Sequence, residues 1–248
     1  MLFESAFSVK KIDVLLIIMI CALSLLPVIS FASEPRSLII NSGSSAPLTI
    51  DDSNGFYPDI IHEIFNRLNI PIYIRHVQSA SSLKNVNKGR DDGVIARVKG
   101  LEKKLTNLIR VPEKVFEVEF VSFSNNKNIK IKTWDDLKDY NVAYIKGWKI
   151  FDNKVTVYKS LVKAKNMTQL FKLLQKKRVD IILSQRIVSQ AVMKKMNYFP
   201  HVHHPLTTRE MFIYMHKKNN ALVPKISSEI KRIKKNGTYK KIYEKNIN

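Results

Sequence analysis

The chain has 248 residues, with 42 lysines and arginines against 21 aspartates and glutamates, a formal net charge of +21. One cysteine excludes an internal disulfide framework, and the length permits one large domain or two small ones. The lysines are spread along the chain, often beside asparagine as in NNKNIK and KKNN, and form no patch interleaved with aromatics, so no nucleic acid is expected as a partner.

The first segment differs from the rest. Lys10 and Lys11 precede an uncharged run from Val14 to Ala32, apolar from Val14 to Leu26, then Pro27 and small residues at Ser30 and Ala32. This layout predicts a secretory signal peptide over residues 1–32, cleaved after Ala32, and a periplasmic destination. The competing reading is an uncleaved anchor, for which the apolar centre falls short of the roughly 20 residues a spanning helix needs. Cys21 has no small residue directly before it, which argues against lipid attachment. Removing residues 1–32 deletes Lys10, Lys11, Glu4 and Asp13, so the charge of +21 is unchanged. No second run is long and apolar enough to cross a membrane.

Ser37–Asn41 reads as a short apolar strand, followed by the turn-rich loop SGSSAPLTIDDSNGFYP. Ile60, Ile61, Ile64, Phe65 and Leu68 recur at helical spacing, with Asp59 as the expected N-cap. Ile70, Ile72 and Ile74 alternate as in a strand. SASSLKNVNKGRD fits a short helix and turn, and DGVIAR the next strand. The second half repeats the pattern: a strand over Phe116–Ser124, a short helix capped at Thr133, a strand ending at Gly147, and a helix starting near Thr168. The strand VDIILS, one or two helical turns in SQAVMKKM and the strand REMFIYMHK follow. Leu222, Val223, Ile226, Ile230 and Ile233 give a long helix that Gly237 ends as a C′ residue, and Tyr239, Ile242 and Tyr243 open a last short one.

Strands alternating with helices predict an α/β fold. No Pro/Gly-rich joint separates the two α/β units, so the connections are expected to be strand-like, near Val121–Asn126 and again near Leu206–Phe212. The expected organisation is residues 33–124 with 207–248 in one lobe and 125–206 in the other, hinged by crossing strands around a cleft.

Candidate site residues follow from strand ends. Val94-Ile95-Ala96 is an apolar run that finishes on Arg97. Open α/β sheets hold ligands at the carboxyl ends of their strands, and a guanidinium pairs with carboxylate or phosphate through two bonds. The alternative is a surface arginine at a strand terminus. Ser44, Ser45 and Tyr57 lie in or beside the loop after the first strand, as donors and an aromatic wall, or as ordinary turn chemistry. Trp148 either stacks on a ligand or is a core or surface tryptophan. His201, His203 and His204, between Pro200 and Pro205, lack the Cys, Asp or Glu neighbours of a zinc site, so no metal is expected. The pairs Asp51-Asp52 and Asp91-Asp92 read as turn residues. No G-x-S-x-G, H-E-x-x-H or phosphate loop is present, and no enzyme activity is expected.

Five stretches in order carry a family resemblance: NGFYPDIIHEIFNRLNI, GRDDGVIARVKGLEKKLTNLIRVPEKV, TWDDLKDYNVAYIKGW, LFKLLQKKRVDIIL and IYMHKKNNALVPKISSEIKRIKKNGTYKKIYEK. Together they cover nearly all of the chain after residue 32, and it resembles the amino-acid-type periplasmic solute-binding proteins of ABC transporters, in a less-characterised branch. The resemblance implies a type II two-lobed fold, a small polar solute bearing a carboxylate, and a membrane permease as partner. It further implies a monomer and no cofactor. It places the carboxylate-gripping arginine of the best-known members at Lys104, whereas here an arginine stands earlier, at Arg97. It also implies backbone contacts to ligand at Gly147, beside Trp148, and a contact at Ser184, where the family commonly has an acid. A sensor that signals to a membrane receptor, or an enzyme on the same scaffold, are the other readings it leaves open.

Overall fold

The computed structural model describes residues 36–77 and 79–247. The expected signal peptide lies outside the described residues. Within them the chain forms strands β1 (Leu38–Ser42), β2 (Ile72–His76), β3 (Gly93–Arg97), β4 (Leu108–Arg110), β5 (Phe116–Ser124), β6 (Asn141–Ile145), β7 (Ser160–Ala164), β8 (Ile181–Gln185), β9 (His201–Val202) and β10 (Thr207–His216). The helices are α1 (Phe56–Arg67), α2 (Ser79–Asn87), α3 (Lys149–Lys154), α4 (Met167–Gln175), α5 (Arg186–Met196), α6 (Val223–Lys235) and α7 (Thr238–Ile247). No helix among the described residues is long and apolar enough to cross a membrane.

The strands join in the order β2-β1-β3-β10-β5-β8-β6-β7, with β4 added to β10 and β9 to β5. β1, β2 and β3 run parallel in one half, and β6, β7 and β8 run parallel in the other. The halves meet in β5 and β10, which pair antiparallel from Thr207↔Phe120 to Met211↔Phe116, ahead of the expected Val121–Asn126 on the first strand and within Leu206–Phe212 on the second. β3 lies antiparallel to β10 and β8 antiparallel to β5, so the two sets of parallel strands point their carboxyl ends toward each other. β3 ends opposite Phe212 and β8 ends opposite Phe120, which itself faces Thr207. The interval from Thr207 to Phe212 spans about 17 Å at strand rise, enough to seat a small solute between the facing ends.

Helical spacing is realised where expected. Phe56, Ile60, Ile61, Ile64 and Phe65 of α1 and Ile226, Ile230 and Ile233 of α6 are fully buried, each such side chain contributing about 1.5–3 kcal/mol. α1 begins three residues earlier than Asp59 because Gly55 (φ +122°) turns the chain where a Cβ would stand 2.9 Å from Thr49 Cα. Asp59 therefore sits in the first turn, and its carboxylate accepts from Lys245 (2.9 Å) and Asn246 (2.8 Å) of α7. Thr133 is not a cap either, whereas Thr168 does lie near one, two residues after it. Asp136 accepts from the N–H groups of Lys132 and Thr133 (both 2.8 Å) ahead of a 3-10 turn at Asp135–Leu137, and Asn166 caps α4 through Gln169 N–H (2.9 Å). α5 is longer than one or two turns, and α3, β4 and β7 are additional to the expected elements. Gly237, at φ +82°, does follow α6 as a C′ residue.

Asp91 and Asp92 lie in the bend ahead of β3 and do more than turn the chain. Both are buried. Asp91 accepts from Asn41 (2.8 Å) and Arg75 (3.0 Å), and Asp92 from Ile39 N–H (2.9 Å), Lys218 (2.8 Å) and Asn219 (3.1 Å). They tie β1, β2 and the start of the carboxy-terminal helices to the foot of β3. Burial alone would raise the Asp92 pKa, but the Lys218, Ile39 and Asn219 donors outweigh it and hold the carboxyl below its usual value.

One irregularity shapes β3. Phe212 faces Arg97 and Tyr214 faces Val94, so β3 uses one more residue than β10 between the two pairs. Ala96 absorbs the extra length with φ +62°, a left-handed conformation that costs a residue with a Cβ about 1–2 kcal/mol. The bulge resets the alternation of β3 just before Arg97.

Two outcomes are expected in urea unfolding. Asp92→Ala should cost about 3 kcal/mol, because it leaves the Ile39 N–H and Lys218 without their acceptor. The native Asp92 contribution should persist above pH 4 and fade as pH falls through its lowered native pKa, and Asp92→Asn should remove that acid-side slope. At the bulge, Ala96→Gly should match or exceed the native midpoint, whereas Ala96→Val should lower stability by about 2 kcal/mol. Equal midpoints for the glycine and valine variants would show that the bulge carries no strain.

Candidate functional site

Arg97 is 8% exposed, and its Nε is buried without a hydrogen-bond partner. Nη1 donates to its neighbour Ala96 O at 3.1 Å, and Nη2 lies 3.5 Å from Ser82 Oγ of α2, the limit of a hydrogen bond. No carboxylate among the described residues pairs with it. Burial lowers its pKa to about 10, partly offset by the neighbouring Tyr57 hydroxyl. A desolvated guanidinium held by one backbone carbonyl and one distant hydroxyl is poorly compensated, since a buried charge without a partner is among the costliest groups a fold can hold. The bulge at Ala96 and the end of β3 place this charge at the facing strand ends.

Tyr57 is in the first turn of α1 rather than in the loop, and it is fully buried, with its ring 6.0 Å from Phe116. Burial pushes its hydroxyl pKa upward, so it stays a neutral phenol beside Arg97. Ser44 is half-buried and Ser45 exposed in the loop leaving β1. The Ser45 carbonyl accepts from Leu48 N–H (3.0 Å) and Thr49 N–H (3.2 Å), which is turn chemistry, and Ser42 Oγ meets Thr49 Oγ1 at 2.6 Å beneath it. Because β1 is parallel to β3, this loop leaves on the same side as Arg97.

On the opposing half, Gly147 follows β6 at φ +87° with open space around it. Only a residue without a Cβ takes that backbone freely, so the turn into α3 depends on it. Trp148 is half-buried and stacked on Phe151, rings 5.7 Å apart at 11°. Phe151 also contacts Phe120, Trp134 and Tyr144. Ser184 is fully buried, with Oγ 3.4 Å from Met167 Sδ, so its hydroxyl is directed at α4. Strand alternation turns the half-exposed Gln185 the other way. The structure thus sets Arg97 beside Tyr57 and Ser82 in one half and Gly147 beside Trp148 in the other. Ser82 was not legible beforehand, being one serine among several in SASS.

Lys104 is exposed, just after a 3-10 turn at Leu101–Lys103. That turn is pinned by Glu102, whose carboxylate accepts from Gly100 N–H (3.1 Å) and Tyr214 Oη (2.7 Å). Of the histidines, His201 starts β9, while His203 and His204 lie in the loop after it, with His203 buried and its Nε2 2.9 Å from Ser124 Oγ. Burial, reinforced by His201, lowers the His203 pKa to about 4 and keeps it neutral. No group of three or more His, Cys, Asp or Glu able to hold a metal occurs among the described residues.

A groove of about 550 Å³ runs along Phe116–Glu119 between the start of α5 and α7, and none of the residues nominated above lines it. Its charges are paired: Arg186 with Glu119 (2.5 Å), Lys234 with Glu113 (2.6 Å), and Lys114 with both Glu117 and Glu210, which face each other on β5 and β10.

Residues 145–248 match the family described as bacterial extracellular solute-binding proteins, family 3. An uncharacterized protein of Shewanella oneidensis is 25% identical over 173 residues, covering 66% of each chain, so the chain spans just under two thirds of that relative. Among solved structures, the GluR0 ligand-binding core in complex with L-glutamate superposes with a TM-score of 0.75 at 15% identity, covering 87% of this chain and 100% of that one. A mutant of ArgBP from T. maritima gives 0.68 at 22% identity, covering 86% and 96%. The ancestral amino acid-binding protein AncCDT-1, a precursor of cyclohexadienyl dehydratase, gives 0.68 at 18% identity, covering 86% and 96%. In fold the chain matches the two-lobed type II class of these solved structures, and its residues 145–248 match the model of the bacterial extracellular solute-binding proteins, family 3.

Proposed function

We propose that the protein captures a small carboxylate-bearing, amino-acid-like solute outside the cytoplasm and presents it to an ABC-type permease, without chemical conversion. The observation that carries this reading is Arg97, a buried guanidinium lacking an anionic partner at the carboxyl end of a sheet strand. A carboxylate arriving there supplies the missing acceptor through two charge-assisted bonds. The Gly147–Trp148 turn stands on the facing set of strands, with the backbone of Gly147 and an indole on which a solute side chain can lie. Closure then requires only that the solute bind the closed form better than the open one. Ser44 and Ser45 are assigned to the rim, Tyr57 to the wall behind Arg97, and Ser184 to the support beneath Met167. The likeness to the GluR0 ligand-binding core favours a second reading, in which the same capture signals to a membrane receptor; co-purification with a permease from solubilised membranes separates the two.

Thermal-shift titration against amino acids, organic acids and small sugars tests the anchor. A solute at a hundred times its Kd should add about 2.7 kcal/mol. Arg97→Met should abolish that gain. In the solute-free protein the same variant should be more stable by about 1 kcal/mol, because it removes an uncompensated buried charge. A ligand-induced gain that survives Arg97→Met would refute the anchor, and a response to sugars alone would refute the carboxylate.

A further inference from the structure

Positive charge is concentrated in one part of the chain. Residues 125–206 hold 17 lysines and arginines against five acids, whereas residues 36–124 hold 12 against ten. The excess gathers at the end of the sheet farthest from the facing strand ends, where the chain leaves β5 and enters β8 and β9. There Asn125 joins three segments: its Nδ2 donates to Leu174 O at the end of α4 (2.7 Å), and its Oδ1 accepts from Tyr198 Oη after α5. Lys127, Lys176, Lys177, Arg178, Lys194 and Lys195 are all exposed on these segments, and none is in an ion pair among the described residues. The stretches 125–134, 172–179 and 193–204 contain no acid.

Lysines at the ends of α4 and α5 complement the helix dipoles, which is reason enough for some of them. It does not account for Lys127, or for Phe199. Phe199 is 62% exposed, the most exposed of the large apolar side chains among the described residues, and it stands between Tyr198, which is bonded to Asn125, and the buried Pro200. An exposed aromatic on segments that carry unpaired cations is the composition of a surface that seats on an anionic bilayer, with the ring entering the headgroup layer and the cations meeting phosphates.

We propose that this tip, built from the β5–β6 loop and the ends of α4 and α5, docks on the anionic outer surface of a lipid bilayer through Phe199 and the surrounding lysines. The orientation leaves the facing strand ends, at the opposite end of β8, clear of the membrane. The inference does not depend on which solute the protein holds. A nucleic-acid partner is less well matched, because base stacking needs successive aromatic platforms and the tip offers one exposed ring.

The test is co-sedimentation of the full chain with vesicles of phosphatidylglycerol and phosphatidylcholine in equal parts, against pure phosphatidylcholine vesicles, from low to high potassium chloride. Residues 1–35 are common to every variant, so ratios between variants belong to the tip. Binding should favour the anionic vesicles and fall with salt. The pair Lys194→Glu and Lys195→Glu should weaken it by at least about tenfold, and Phe199→Ala by about tenfold, while the equal charge change Lys231→Glu with Lys235→Glu on α6 stays within about twofold of the native chain. If the Lys194/Lys195 pair unfolds, Lys176→Glu with Lys177→Glu replaces it with the same expectation. Equal losses from the tip and α6 pairs would reduce the effect to net charge and overturn the proposal. So would an unaltered Phe199→Ala, no preference for anionic vesicles, or tip-dependent binding of single-stranded RNA without vesicle binding.

Discussion

Pairing of β10 with β5 is the constraint on which the molecule rests. β10 holds β3 and β4 with its second half and β5 with its first, so one ten-residue strand links the half that carries β3 to the half that begins at β5. Arg209 and Val118, paired across the junction, are 91 positions apart. Closing so long an interval costs chain entropy before any contact compensates it, and the apolar inner faces of β5 and β10, with Val118, Phe120, Met211 and Ile213 buried, offset that cost. The junction also opposes Glu117 and Glu210 directly, an arrangement that repels unless a cation stands between them, and Lys114 does so. The antiparallel junction is what turns the two parallel sets head to head. The gap between strand ends is a consequence of the pairing rather than of any loop.

That geometry explains why backbone strain and electrostatic cost coincide at one place. Ala96 accepts a left-handed conformation because β10 fixes the pairs on either side of it. Arg97 accepts desolvation because the strand that carries it ends there, walled by Tyr57 and by Ser82 of α2. Both costs are met by the surrounding sheet, and an anion would relieve the second. A site built this way discriminates by penalty: a neutral solute that fills the space leaves the guanidinium as poorly partnered as before, so rejection is stronger than shape alone would give.

The architecture was legible in the sequence wherever burial repeats with a period. α1, α6 and the crossing strands follow from their apolar spacing, and Arg97 from its residue type at the end of an apolar run. What stayed hidden was set by partners remote in sequence. The bulge at Ala96 depends on the register of β10, and nothing in GVIAR announces it. Asp91 and Asp92 resemble turn residues until Asn41, Arg75 and Lys218 are brought to them from other elements. α3 and β7 are short and lysine-rich, because β7 is an edge strand with one side facing solvent and so lacks the apolar density of its neighbours. Tyr57, read as part of a loop, is helical because Gly55 turns the chain just before it.

The aromatic cluster around Phe151 has a spectroscopic consequence. The chain has two tryptophans, Trp134 and Trp148, and both rings pack against Phe151, at 6.3 and 5.7 Å. Indole emission therefore reports the surroundings of α3 and β6 and is silent on the half of the sheet that carries Arg97. The two halves can be followed independently in one sample, by tryptophan fluorescence for one and by far-ultraviolet dichroism for their sum. Any divergence between the two signals would measure how tightly β5 and β10 couple the melting of one half to that of the other.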